Sequence, residues 1–175
     1  MILNFKKTFI QKTYFSIDLL GKNLKLNINY SKVNSPEVNE LENEISIILP
    51  MRYKHSDNID IINLCIQKLY NEVANFELEY AMEFARHILG FAPEDFKIKR
   101  MTNCYYKCNN KILTVSPDIV QFSEETIYST IIQAFCKIGY KQGTKKYFDS
   151  LEYGLKEFEK YKNNKSNKEL WQKIS

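Results

Sequence analysis

Two periods alternate along this chain and divide it into stretches of strand and stretches of helix. Phe15, Ile17 and Leu19 alternate with Tyr14, Ser16 and Asp18, and Leu24, Leu26, Ile28 and Tyr30 resume the alternation after Gly21-Lys22-Asn23. A period of two marks a half-buried strand, and a glycine-containing break between two such runs predicts a hairpin. Residues 31–43 hold Pro36 among several Asn and Glu and read as a surface loop, after which 44–49 form a third short strand closed by Pro50. Antiparallel β-structure is therefore expected over the N-terminal part.

The period then lengthens. Ile62, Ile66, Leu69, Val73, Phe76, Tyr80, Phe84 and Ile88 recur at spacings of three and four, which puts them on one stripe of a long helix. Ser56 or Asp57 can cap its start, Gly90 ends the run and Pro93 blocks its continuation. Residues 96–101 and 111–115 alternate again, as two strands with Asn109-Asn110 near the turn between them. Ser123 then caps a second helix whose stripe is Ile127, Ile131, Phe135 and Ile138, with Glu124 and Glu125 at its positive end. Gly139 ends it, and a final amphipathic helix follows with Phe148, Leu151, Leu155 and Phe158 as its apolar face. The order of N-terminal hairpins, long helix, short β segment and two C-terminal helices describes an α+β domain over 1–162, with 163–175 as a basic tail expected to be mobile.

Composition narrows the classes. With 175 residues and 44% apolar content the chain is large enough for a real core. Its net charge is +4, and residues 141–175 hold nine Lys against five acidic residues, a surplus equal to the charge of the whole chain. Nucleic-acid modules usually concentrate more positive charge than this. No stretch approaches the roughly 18 apolar residues of a membrane span, so no membrane partner is expected. The first residues, Met-Ile-Leu-Asn-Phe-Lys-Lys, lack the apolar run of a secretory signal, and Cys65, Cys104, Cys108 and Cys136 are widely spaced apart from one C-x3-C pair. Both features point to a cytoplasmic protein with reduced thiols.

Candidate chemistry comes from a frame of spacings. Leu89-Gly90-Phe91-Ala92-Pro93 precedes a strand segment ending in Met101-Thr102-Asn103-Cys104-Tyr105-Tyr106-Lys107-Cys108, followed by the short strand Lys111-Ile112-Leu113-Thr114-Val115. A helix then carries Gln133-Ala134-Phe135-Cys136-Lys137, with Gly143 and the aromatic pair Tyr147-Phe148 beyond it. In this order and length, residues 98–148 resemble the YgjP-like family of zinc metallopeptidases, relatives of the SprT-like and WLM proteases. The resemblance implies a zincin-like metallopeptidase fold. It implies also that the family's His-Glu-x-x-His falls on 133–137, its third histidine on Gly143 and its following aromatic pair on Tyr147-Phe148.

The residues that carry the family's chemistry are replaced. A catalytic zinc needs about three protein ligands and an open position for water. Gln133 is a poor neutral oxygen donor, Lys137 is a cation, Gly143 has no side chain, and Ala134 removes the carboxylate that would take a proton from the water. Zinc, the family cofactor, is therefore not expected to bind, and no catalytic residue is expected at the former site positions Gln133, Ala134, Lys137 and Gly143. His55 and His87 fall outside the frame. Cys104, Cys108 and Cys136 are the remaining metal candidates, but one C-x3-C pair with a distant Cys lacks the paired spacing of a zinc site, and the three read first as small buried hydrophobes. Possible binding residues are Tyr105, Tyr106, Lys107 and Arg100, an aromatic and basic group, together with Lys137 over the former cleft.

The expected function is that of a catalytically degenerate member of the YgjP-like metallopeptidases, a binding or regulatory domain with an unknown protein partner. Two alternatives stay open on the sequence. One is an active hydrolase, a metal-dependent peptidase or a nucleotide hydrolase, with a rebuilt site; the other is a nucleic-acid-binding module.

Overall fold

The computed structural model describes the backbone over residues 15–174 and side chains over 16–164. Contacts within the chain group into two compact units. The first comprises residues up to Asn75 with Pro117–Glu124, the second Phe76–Ser116 with the chain from Glu125 onward. Both mix helix and strand, so the chain is α+β.

The first unit holds a four-stranded sheet of β1 (Phe15–Leu19), β2 (Lys22–Ser31), β3 (Glu37–Glu40) and β4 (Glu44–Pro50), in the order β1-β2-β4-β3. Strands β1 and β2 form the expected hairpin, turned at Leu20 and Gly21, whose φ angles are 49° and 75°. Two successive positive φ values suit the twist of a two-residue hairpin. Only glycine fits the second position, because a Cβ there would lie 2.9 Å from the Cα of Ser123. The rest of the sheet departs from expectation. Residues 31–43 are not only a loop but contain β3, which pairs antiparallel with β4, and β4 pairs with β2 in parallel. The sheet is therefore mixed: two antiparallel hairpins joined side by side by a parallel ladder. Ile45, Ile47 and Leu49 of β4 are fully buried, as befits a central strand.

Helix α1 (Ile59–Leu89) follows, its residues up to Asn75 belonging to the first unit. Asn58 anchors its start. The buried amide donates to the Tyr30 hydroxyl at 2.9 Å and to the Tyr53 carbonyl at 2.7 Å, and its Oδ1 accepts from the Ser56 hydroxyl at 2.9 Å. The buried stripe begins as expected with Ile62, Ile66 and Leu69, then shifts to Ala74, Leu78, Ala81 and Ala85. Phe76 and Tyr80, expected in the core, are 59% and 54% exposed and rest edge to face on each other. Small alanines let neighbouring elements approach the helix closely on the face that large aromatic rings would have blocked.

The second unit contains a three-stranded sheet, β5 (Asp95–Ile98), β6 (Tyr106–Asn109) and β7 (Ile112–Val115), in the order β5-β7-β6, with β5 parallel and β6 antiparallel to β7. Strand β6 overlaps the end of the 101–108 stretch and is separate from the strand expected over 96–101; it is turned into β7 at Asn110 and Lys111, both with positive φ. Helix α2 (Glu124–Gly139) is buried almost all round, with Ile127, Tyr128, Ile131, Ile132, Ala134, Phe135 and Cys136 in the core. Helix α3 runs from Lys145 to Ile174, so its backbone continues through the region expected as a mobile tail. Its inward face is Tyr147, Gly154 and Phe158, whereas Phe148, expected there, is 57% exposed. Phe84 of α1, Tyr128 of α2 and Phe158 and Tyr161 of α3 form one aromatic cluster, with the rings of Tyr128 and Phe158 stacked 4.6 Å apart. Among the described residues no helix is long and apolar enough to cross a membrane.

Candidate functional site

The positions that matter for the metallopeptidase resemblance lie on α2 and β6, both in the second unit. Gln133 and Lys137 are four residues apart and so share one face of α2. Strand β6 presents Tyr106 and Cys108 inward and Lys107 and Asn109 outward, as alternation along a strand requires. Two hydrogen bonds bring the elements together. The Tyr106 hydroxyl donates to Gln133 Oε1 at 2.6 Å and accepts from Lys137 Nζ at 2.5 Å. The Lys137 ammonium also lies 4.8 Å from the centroid of the Tyr106 ring, within range of a cation–π attraction.

Tyr147 and Cys108 complete the cluster. Tyr147 is buried at the start of α3; burial pushes its phenol above the ordinary value, and the Lys137 charge opposes that shift. The Cys108 thiol donates to the Ala134 carbonyl at 3.7 Å, and burial raises its pKa against the same lysine charge. Lys137 itself is raised, first because its ammonium donates to the Tyr106 hydroxyl, with desolvation pulling the other way. It stays a cation at neutral pH. The cluster is thus two phenols, an amide and a thiol gathered round one charged amine.

This donor set does not suit zinc. The amide oxygen of Gln133 already accepts from a phenol, and Lys137 carries a positive charge that repels a metal. Ala134, where the resemblance implies the family's general base, is fully buried. Gly143 is exposed in a left-handed turn, φ 83°, and an added Cβ there would meet nothing within 4 Å. Among the described residues no three His, Cys, Asp or Glu side chains gather closely enough to hold a metal ion. The candidate thiols differ in setting. Cys136 is buried, with its pKa pushed up to about 11 by burial, and Cys108 is half-buried. Cys104 is exposed beside Met101 and is not the buried hydrophobe expected. His55 and His87 are both exposed.

The expected aromatic and basic group is split. Tyr106 joins Lys137 on the inner side of the short sheet, whereas Lys107 points to the opposite side, and Arg100 is exposed beyond the end of β5. Tyr105, half-buried, precedes β6 and lies in alternation with Lys107. Next to the cluster, α2 and α3 enclose a groove of about 340 Å³ lined by Ser129, Thr130, Gln133, Leu151 and Leu155 among others. Lys137 does not line it. The sequence frame placed Gln133 and Lys137 together but missed that Tyr106 bridges them; the alternation of Tyr106, Cys108 and then Leu113, Val115 across a two-residue Asn-Lys turn was the available signal.

No protein-family model, curated protein or solved structure matches this chain.

Proposed function

We propose that the chain is a catalytically degenerate relative of the YgjP-like zinc metallopeptidases, zincin-like in its plan, which serves as a binding or regulatory domain for a protein partner. The observation that supports this reading most directly is the Tyr106 hydroxyl held between Gln133 and Lys137. In the family's frame these two helix positions share a metal; here they share a phenol oxygen. Tyr106 ties β6 to α2, and a side chain satisfied in this way stabilises a surface instead of activating water. A rebuilt hydrolase would need a substrate cavity reaching Lys137, and the neighbouring groove reaches Gln133 only.

Two measurements test the proposal. Protein purified without added metal is expected to carry substoichiometric zinc and to hydrolyse neither peptides nor nucleoside triphosphates, with or without zinc. One equivalent of tightly held zinc, or metal-dependent turnover, overturns the non-catalytic reading. The frame itself is tested by the variant Gln133→His/Ala134→Glu/Lys137→His/Gly143→His in a Tyr106→Phe background. It is expected to take up one zinc, and a variant that folds by circular dichroism yet stays metal-free refutes the assignment of these four positions.

A further inference from the structure

The short sheet of the second unit has a second face, turned away from Tyr106. Pairing registers set Lys97 of β5 beside Thr114 of β7 and Thr114 beside Lys107 of β6, so the three form one row across the sheet. Both lysines are exposed and Thr114 is half-buried, while the row on the other face, Ile98-Val115-Tyr106, has its central residue fully buried. The ladder extends past both outer strands. The Lys99 N–H donates to the Val115 carbonyl and the Ser116 N–H donates to the Tyr105 carbonyl, so exposed Lys99 follows Lys97 at a spacing of two and Tyr105 precedes Lys107 by two.

We propose that this face binds single-stranded nucleic acid, with Lys97, Lys99 and Lys107 on the phosphates and the Tyr105 ring against a base. Neighbouring strands lie about 4.8 Å apart, which puts Lys97 and Lys107 roughly 10 Å from each other, with half-buried Thr114 directly between them and half-buried Ile112 beside it along β7. That is a flat floor edged by cations. One acidic residue shares it, Asp95, in an exposed ion pair with Lys97 at 3.3 Å. Such a pair is weak and exchanges readily for a phosphate. The ring is what favours a nucleic acid over other polyanions, since every base offers a face for stacking and an acidic peptide or lipid headgroup offers none. This inference goes beyond the proposed function and does not depend on it: it concerns the opposite side of the sheet, and metal content or hydrolysis leaves it untouched.

The test is fluorescence anisotropy of labelled single-stranded DNA and RNA 12-mers with the full chain. Binding in the micromolar range is expected at about 50 mM salt. Three phosphate contacts predict a salt slope near −2, hence a loss of about 20-fold in affinity on going to about 200 mM. Lys97→Glu/Lys107→Glu should weaken binding by about tenfold or more, and Tyr105→Leu by about fivefold or more, each with an unchanged circular dichroism spectrum. Lys145→Glu/Lys146→Glu, which removes two exposed cations from α3, should bind as the parent does. Absence of binding overturns the proposal, as does equal weakening by the α3 control. Polyglutamate or phosphatidylserine vesicles that compete as well as the oligonucleotide would also overturn it, because the face would then read charge alone.

Discussion

Tyr106→Phe isolates the hydroxyl at the centre of the cluster. The ring remains, and with it the packing of β6 and the cation–π contact of Lys137 at 4.8 Å. Lost are the bond donated to Gln133 at 2.6 Å and the one accepted from Lys137 at 2.5 Å. A neutral hydrogen bond contributes about 1 kcal/mol net and one from a charged donor about 1.5–3 kcal/mol. Both Gln133 and Lys137 are half-buried, so water replaces part of each, and the expected loss is about 1–2 kcal/mol. Urea unfolding followed by circular dichroism measures it. A double-mutant cycle with Lys137→Met should return a coupling of about 0.5 kcal/mol or more. The sign of the pH dependence is set by Lys137, whose folded pKa is raised. Its contribution is complete below the unfolded lysine value and disappears as pH rises through the folded one, so the difference between parent and variant should narrow in alkali. A Tyr106→Phe protein within about 0.3 kcal/mol of the parent, with no coupling to Lys137, refutes the claim that the hydroxyl joins strand to helix.

Other expectations follow from burial and contact. Cys136 has its thiol pushed up to about 11, so the unfolded chain loses that proton first and stability should fall by about 2–3 kcal/mol between pH 9 and 11; pH-dependent urea melts of Cys136→Ala should lack this slope. Gly154→Ala should destabilise by about 1–2 kcal/mol in spite of alanine's better helix propensity, because the new Cβ would sit 2.6 Å from Cγ2 of fully buried Ile132; a raised melting temperature would contradict the contact. Asn58→Ala removes the amide bonded to Tyr30, Tyr53 and Ser56 and should cost about 2–3 kcal/mol, while Asn58→Asp, which keeps only the acceptor, should recover part of that in the same melt.

The alternation of Phe15 to Leu19 and of Leu24 to Tyr30 made the first hairpin legible, since one buried face writes a period of two. Strand β3 was illegible for the converse reason. Glu37-Val38-Asn39-Glu40 holds one apolar residue at the edge of the sheet, and an edge strand with little to bury leaves no pattern. Periodicity says nothing about direction, so the parallel join of β2 and β4 could not be read from it. Along α1 the stripe drawn through Phe76 and Tyr80 followed size, whereas the buried face follows Ala74, Leu78, Ala81 and Ala85. The same limit governs the site. The spacing of Gln133 and Lys137 was enough to place them on one face of a helix, but their partner lies on a strand of four residues, Tyr-Lys-Cys-Asn, whose alternation is too short to stand out. Tyr105 and Tyr106 were grouped because they are adjacent, and adjacency in a strand is what separates them.

The strand order β1-β2-β4-β3 also constrains how the first sheet can be made. Strand β3 precedes β4 in the chain yet stands outside it, so as synthesis proceeds β1 and β2 can close their hairpin at once while β3 has nothing to pair with until β4 emerges. The strand with the most buried face must then enter between two neighbours, and each of its parallel pairings with β2 joins residues nineteen apart. Non-local pairings are slow to form, and until they do β2 offers a free edge to any other strand. A nascent chain exposed only as far as residue 43 would hold a hairpin with an open flank, which makes the arrival of β4 the moment at which β2 ceases to be able to pair with another chain.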